Sequence, residues 1–212
     1  VNQKLYEGDW TKGNAGGYGT KETRWGRDYP DIFSPKGPML AESVKFSADG
    51  ASNTGTIIYQ IRRGVRWAQT NTDAGRLMNG REFTADDVVF NLKRNVQVSR
   101  MTIYRSNPEL RTANITKTGP WEVTITTPIE GLMSGLSRFS DSNVMYPPEV
   151  IARYGDTTWG NDWKNLVGTG PFILAEVVPG RSLTLKKHTN YWQTDPIGPG
   201  KGNQLPYLDA VQ

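Results

Sequence analysis

Two adjacent acids, Asp86 and Asp87, stand near the start of the segment GREFTADDVVFNLKRNV, residues 80–96. Paired carboxylates can hydrolyse a glycosidic bond or bind a metal ion. In the first turn of a helix, the same acids accept hydrogen bonds from unpaired backbone N–H groups and complement the helix dipole. Thr84 stands at the N-cap position, Asp87 follows three residues later, and apolar residues recur at helical spacing. The pattern therefore predicts that this acid pair caps a helix and is not catalytic.

The other groups that could do chemistry lack the partners that such chemistry requires. His188 is the only histidine, so it cannot build a multi-histidine metal site, and we predict a surface position at a strand end. The glycine-rich GNAGGYG, residues 13–19, has no Lys followed by Ser or Thr, as a phosphate loop would. Asp156 and Asp162 do not have the spacing of an EF-hand loop. We predict no catalytic residue, no metal and no cofactor.

Composition and charge narrow the class of protein further. The chain has 212 residues, 36% of them hydrophobic and 22% charged, which is ordinary for a folded domain. It contains no cysteine, which excludes disulfides and thiol nucleophiles. Arg62, Arg63 and Arg66 fall on both faces of an alternating segment and form no continuous basic stripe, so we expect no nucleic-acid partner. No stretch approaches the roughly 18 apolar residues of a membrane helix.

Periodicity predicts a chain of mixed strands and helices. Alternating apolar and polar residues predict two antiparallel strand pairs, at residues 43–47 with 56–67 and at residues 114–118 with 121–127. Helical spacing and capping residues predict helices at residues 85–96, 130–139 and 148–155. A last pair of strands flanks Pro179 and Gly180, which suit a type II turn, and we expect a loose or bulged connection there.

Seven short motifs follow one another along almost the whole chain. They are YEG (6–8), LAESVKFSADG (40–50), YQIRRGVRW (59–67), FTADDVVFNLKR (83–94), GTGPFILAEVVPG (168–180), LKKHTNYW (185–192) and PYLDAV (206–211). In this order they closely resemble the extracellular solute-binding proteins of family 5, the peptide- and nickel-binding receptors of ABC importers. Their collinearity is more specific than any one of them.

The resemblance implies an α+β fold of the periplasmic-binding-protein-like type II class, in the cluster of peptide-binding proteins. Residues 1–39 and 166–212 would form a discontinuous part of the large ligand-binding lobe. Residues 40–165 would form an inserted mixed-sheet subdomain. A second lobe is expected downstream, so the resemblance implies that this chain is the amino-terminal portion of a receptor.

The resemblance also implies a ligand site and a hinge. Glu7, followed by Gly8, matches an acid close to the ligand cleft of peptide-binding relatives; the alternatives are an exposed acid or one bonded to a neighbouring amide. Tyr104 matches a cleft-facing aromatic residue, with a packing or surface role as the alternative. Trp10 and Tyr18 could line the cleft or pack beneath a loop. The hinge is expected where the motif GTG passes between lobe and subdomain, at Gly168, Thr169 and Gly170.

The function implied is that of an extracytoplasmic substrate-binding component of an ABC importer, periplasmic or on the cell surface. It would capture dipeptides or oligopeptides and deliver them to the permease membrane subunits. We expect a monomer, lipid-anchored through a segment upstream of residue 1. The alternatives are a receptor for a sugar or nickel, a glycan hydrolase that uses the acid pair, and a noncatalytic carbohydrate-binding module. That module would stack sugars on Trp10, Trp25 or Trp159.

Overall fold

The computed structural model describes residues 2–9, 11 and 36–212, and both strands and helices lie in these ranges. The strands are β1 (Tyr6–Gly8), β2 (Lys36–Pro38), β3 (Ala41–Asp49), β4 (Thr54–Ile61), β5 (Asn114–Gly119), β6 (Glu122–Pro128), β7 (Phe172–Val178), β8 (Ser182–Lys187) and β9 (Ala210–Val211). The α-helices are α1 (Asp73–Met78), α2 (Ala85–Gln97), α3 (Thr102–Ser106), α4 (Leu132–Asp141) and α5 (Pro148–Tyr154). Short 3-10 turns occur at Pro108–Leu110, Ile129–Gly131, Trp159–Asn161, Trp163–Asn165 and Gly198–Gly200.

These elements group into two units, each assembled from separate stretches of the chain. Unit 1 comprises Val1–Gln3, Gly64–Phe83 and Met145–Gln212. Unit 2 comprises Lys4–Arg63 and Thr84–Val144. These boundaries differ from those expected for the lobe and its inserted subdomain at residues 39/40 and 165/166. The assignment of the segments to lobes remains a prediction.

Unit 2 is built on a four-stranded antiparallel sheet in the order β3-β4-β6-β5. The two predicted strand pairings are found, because β3 pairs with β4 and β5 with β6. Strand β4 ends at Ile61, however, so the predicted extension of this strand to residue 67 is wrong. One face of the two central strands is fully buried, since side chains alternate between faces with a period of two: Ile57, Tyr59, Ile61, Val123 and Ile125. Helix α2 packs against β5 and β6, and α4 packs against β4. Strands β1 and β2 form a separate antiparallel pair in this unit.

Unit 1 contains the antiparallel sheet β7-β8-β9 and the helices α1 and α5. The predicted turn between β7 and β8 is confirmed: the amide of Arg181 donates to the carbonyl of Val178 at 3.0 Å. Gly180 has φ of 71°, which the third position of a type II turn requires. The register shift of this strand pair lies between Leu174 and Glu176, within β7, and not at the connection, where Val178 pairs with Ser182.

The predicted helices are also found, with small differences at their ends. Helix α4 continues to Asp141, two residues beyond the predicted end, and α5 ends before Gly155. Helices α1 and α3 have six and five residues and are additions to the predicted set. In the part of the chain that the structure describes, no helix is both long and apolar enough for a membrane crossing.

Candidate ligand-binding site

The acid pair Asp86 and Asp87 caps helix α2, as the sequence predicts. The amide of Thr84 donates to Asp87 Oδ2 at 2.8 Å, and the Thr84 hydroxyl accepts in return, which completes a capping box. Asp87 is 1% exposed, whereas Asp86 is exposed and lies 2.7 Å from the ammonium of Lys117. Both carboxylates are therefore engaged in contacts within unit 2, and these contacts favour the capping role.

Four charged side chains of unit 2 form a cluster beside strand β1, which we call the Glu7 cluster: Lys4, Glu7, Lys36 and Asp141. Strand β1 carries Glu7 opposite Gly37 of β2. Asp141, at the end of α4, accepts from Lys4 Nζ at 3.0 Å and from Lys36 Nζ at 2.5 Å. The side chains of Lys36 and Asp141 are 4% and 8% exposed, so this ion pair is largely shielded from water. Helix α4 and strands β1 and β2 together position the cluster.

Glu7 is a half-buried acid with both a lysine and an aspartate near its carboxylate. Burial raises the pKa of Glu7 above the ordinary glutamate value. The backbone amide of Lys4, which donates to Glu7 Oε1 at 3.1 Å, and the Lys4 ammonium oppose this rise, while the Asp141 carboxylate adds to it. The bond to a neighbouring amide is one of the alternatives that the sequence left open. Among the described residues no hydrogen bond to Glu7 Oε2 occurs, and this oxygen can accept from another donor.

Of the other residues of the predicted ligand site, Gly8 lies beside the Glu7 cluster, whereas Tyr104 lies in a different element. Gly8 lies in β1 and pairs with Lys36. Tyr104 lies half-buried in α3, where its carbonyl accepts from Arg111 Nε at 2.8 Å and its ring lies 4.2 Å from the Arg111 guanidinium carbon. No hydrogen bond joins Tyr104 to Glu7 or Gly8 in the described ranges. Trp10, Tyr18 and Trp25 lie outside the described residues.

Sequence reasoning missed Lys4, Lys36 and Asp141 as members of the charged cluster. Asp141 is 105 residues from Lys36 and 137 from Lys4 along the chain, so no local motif contains the three residues together. The one local signal is the spacing of Lys4 and Glu7, three residues apart on either side of the fully buried Leu5. That spacing alone does not identify an ion-pair partner.

The expected hinge residues Gly168, Thr169 and Gly170 are buried within unit 1. The amide of Ala68 donates to the carbonyl of Gly168 at 2.8 Å, which ties this segment to the stretch before α1. The hydroxyl of Thr169 is buried and has no hydrogen-bond partner in the part of the chain that the structure describes. Motion about the segment remains a prediction.

The predicted surface position of His188 is wrong. The side chain is 5% exposed, and its Nδ1 lies 3.0 Å from the carbonyl of Gly170. Its backbone amide also donates to Pro171 at 2.8 Å, so the backbone holds the residue against the segment 168–171. Because a carbonyl oxygen only accepts, Nδ1 carries the proton in this bond. The His188 ring can therefore be buried because the carbonyl of Gly170 satisfies its N–H group.

Trp159, one of the rings considered for sugar stacking, is unsuited to that role. It is 9% exposed, and its ring centroid lies 4.7 Å from that of Tyr146. A sugar-stacking ring must present one face to the ligand, and this ring is packed inside unit 1. The structure therefore removes one of the three tryptophans that the carbohydrate-module hypothesis named.

Comparison with known proteins places the chain in a family. The family model described as bacterial extracellular solute-binding proteins, family 5 Middle, matches residues 37–212. The peptide transport periplasmic protein SapA of Haemophilus influenzae is 25% identical, over 74% of this chain and 32% of that protein. Heme-binding protein A of the same species is 28% identical, over 74% of this chain and 29% of that protein. The chain thus spans about a third of the length of the curated relatives it matches.

Solved structures agree with this assignment at the level of the fold. The ABC transporter-associated periplasmic binding protein DppA from Helicobacter pylori, solved with the peptide STSA, matches with a TM-score of 0.58 at 18% identity. The match covers 100% of this chain and 36% of that one. The predicted α+β fold of the periplasmic-binding-protein class, in its peptide and nickel cluster, is confirmed. This chain belongs to the bacterial extracellular solute-binding proteins of family 5.

Proposed function

We propose that this protein is the substrate-binding component of an ABC importer and captures dipeptides or oligopeptides outside the cytoplasmic membrane. It would deliver them to the membrane subunits of a permease, acting as a monomer without bond chemistry of its own. The observation that carries the proposal is the family match over residues 37–212. The proposal includes the lobes expected from the sequence, a hinge at residues 168–170 and a lipid anchor.

The Glu7 cluster supports a peptide as the ligand. A free peptide carries an ammonium group at one end, and a half-buried carboxylate is a suitable partner for it. Burial raises the pKa of Glu7, so an approaching ammonium would stabilise the ionised form and lower that pKa again. Peptide binding through Glu7 would therefore release protons at pH values within the titration range of Glu7.

Titration calorimetry with trialanine tests the proposal and the role of Glu7 together. We expect binding heat, and at mildly acidic pH we expect that heat to depend on the ionisation enthalpy of the buffer, because protons are released. Glu7→Gln should weaken binding about tenfold or more, since it removes a charge-assisted hydrogen bond. N-acetyl-trialanine, which lacks the ammonium, should bind the native protein as weakly as trialanine binds the variant.

The control is Glu42→Gln, which removes an exposed acid from strand β3 of the same unit. We expect this variant to bind trialanine like the native protein. Absence of heat with dipeptides, trialanine and pentaalanine would count against a peptide ligand. Heat with nickel or a sugar in the same assay would favour the corresponding receptor instead. Equal binding by the two variants would remove Glu7 from the site and leave the peptide question to the first measurement.

A further inference from the structure

Unit 1 contains an open cavity of about 700 Å³ that is separate from the residues of the proposed peptide site. The stretch around helix α1, residues 69–79, lines one part of the cavity, and residues 187–190 at the end of β8 line another. Ligand pockets in proteins commonly have volumes of roughly 300–1,000 Å³, so the cavity can hold a small solute. All of its lining residues belong to unit 1.

The lining of this cavity is polar and carries positive charge. Lys187 and Arg76 contribute cations, and none of the described residues of the lining is Asp or Glu. Arg76 is already paired with Asp73, so its charge is largely neutralised within α1. In the ranges that the structure describes, Lys187 has no carboxylate within salt-bridge distance. Lys187 therefore gives the cavity a positive charge that a bound anion could balance.

Several polar side chains of the lining are not hydrogen-bonded to other described residues. Three of these groups belong to the segment 187–190: the side chains of Lys187, Thr189 and Asn190. None of the three makes a hydrogen bond to another described residue. The side-chain hydroxyl and amide of Thr189 and Asn190 can both donate and accept, as the hydroxyl groups of a ligand require. Among the described residues of the lining, Ile173 is the one aliphatic side chain, and none is Phe, Tyr or Trp.

His188, which also lines the cavity, adds an acceptor. Its Nδ1 donates to the carbonyl of Gly170, so Nε2 carries the lone pair when the ring is neutral. Burial lowers the pKa of His188, which favours the neutral ring at pH 7. The cavity thus offers the ammonium of Lys187, the acceptor nitrogen of His188, and the hydroxyl and amide groups of Thr189 and Asn190.

We propose that this cavity binds a small polyhydroxylated carboxylate, such as a sugar acid, with Lys187 as the carboxylate partner and Thr189 and Asn190 as partners of its hydroxyl groups. The site is distinct from the proposed peptide site, because its residues belong to unit 1 and the Glu7 cluster belongs to unit 2. An anion with several hydroxyl groups is the ligand class that uses both the charge and the neutral polar groups.

A matched set of six-carbon probes tests the proposal by titration calorimetry on the purified protein. Gluconate carries a carboxylate and hydroxyl groups, sorbitol carries hydroxyl groups alone, and hexanoate carries a carboxylate alone. We expect gluconate to bind at least tenfold more tightly than either of the other two. Lys187→Gln should weaken gluconate binding about tenfold or more, and Asn190→Ala should weaken it severalfold. Circular dichroism checks that each variant is folded.

Lys186→Gln is the matched control, because Lys186 is the adjacent lysine of β8 and does not line the cavity. It should bind gluconate like the native protein. No gluconate binding at millimolar concentration, equal binding of sorbitol or hexanoate, or equal loss in the two lysine variants would each overturn the proposal. Competition between gluconate and trialanine would also overturn it, whereas a failure of trialanine to bind bears only on the peptide receptor.

Discussion

Asp141 places a negative charge at the carboxyl end of helix α4, where the helix dipole disfavours an anion. Two ammonium groups offset this disadvantage, those of Lys4 at 3.0 Å and Lys36 at 2.5 Å. Lys4 lies two residues before β1, and Lys36 is the first residue of β2. The carboxylate therefore links the end of the helix to that strand pair. One side chain thereby fixes the position of β1, which carries Glu7.

Replacement of this carboxylate should strongly destabilise unit 2. In Asp141→Asn the nearly buried ammonium of Lys36 loses its partner, and removing one member of a buried pair typically destabilises by about 3 kcal/mol or more. Urea unfolding followed by tryptophan fluorescence measures the change. Lys117→Gln serves as the control, because it breaks the exposed pair with Asp86 and should change stability by less than about 1 kcal/mol. A similar small change in both variants would contradict the burial of the pair.

Glu7 should make the stability of the protein depend on pH in a particular direction. Its folded-state pKa is raised, so ionising it costs more in the folded than in the unfolded chain, and its contribution is lost as pH rises through the folded-state pKa. Glu7→Gln removes this cost and keeps an acceptor for the Lys4 amide. We expect the variant to gain stability relative to the native protein as pH rises from about 3 to 7.

Urea midpoints at several pH values give this comparison directly. Glu42→Gln, at an exposed position of β3, reports the general effect of removing one negative charge. The difference in urea midpoint between Glu7→Gln and Glu42→Gln isolates the effect of burial at Glu7. If this difference in urea midpoint stays constant with pH, the raised pKa of Glu7 is contradicted.

At the scale of elements, helix α2 depends on its first turn. Asp87 bonds the amide of Thr84 and is buried, whereas Asp86 is exposed. Asp87→Ala should therefore lower the free energy of unfolding by about 1 kcal/mol, the usual effect of losing a cap. Asp86→Ala should have a smaller effect. Trialanine affinity should be unchanged in both variants, and a loss of affinity without a loss of stability would return the acids to the functional site.

Long periodic elements were predictable from the sequence, and short ones were not. Strands β4 and β6 bury alternate residues, and α2 has both a cap and an apolar face, so their patterns are strong. Helix α1 has six residues with Gly75 inside, and glycine is unfavourable in a helix interior. Its start at Thr72 and its left-handed end at Asn79 are capping signals, but the periodic stretch between them is too short to stand out.

At the scale of the whole molecule, unit 1 requires segments that are far apart in sequence. The amide of Ala68 donates to Gly168, a residue one hundred positions later, so the stretch 64–83 is completed by residues 145–212. A chain ending at residue 144 should therefore keep unit 2 and lose the structure of residues 64–83. Hydrogen exchange should show protected amides in β4 and β6 and rapid exchange at Ala68. Loss of protection in β4 and β6 as well would show that unit 2 does not fold without unit 1.

The sequence by itself determined the elements that have a strong periodic or capping pattern, together with the family. Period-two and helical spacing specify strands and helices, a capping box specifies where α2 begins, and seven collinear motifs identify a solute-binding protein of family 5. Tertiary structure decided which distant side chains share an environment. Asp141 meets Lys4 and Lys36, and His188 becomes buried against Gly170, because these contacts join segments that no local pattern relates.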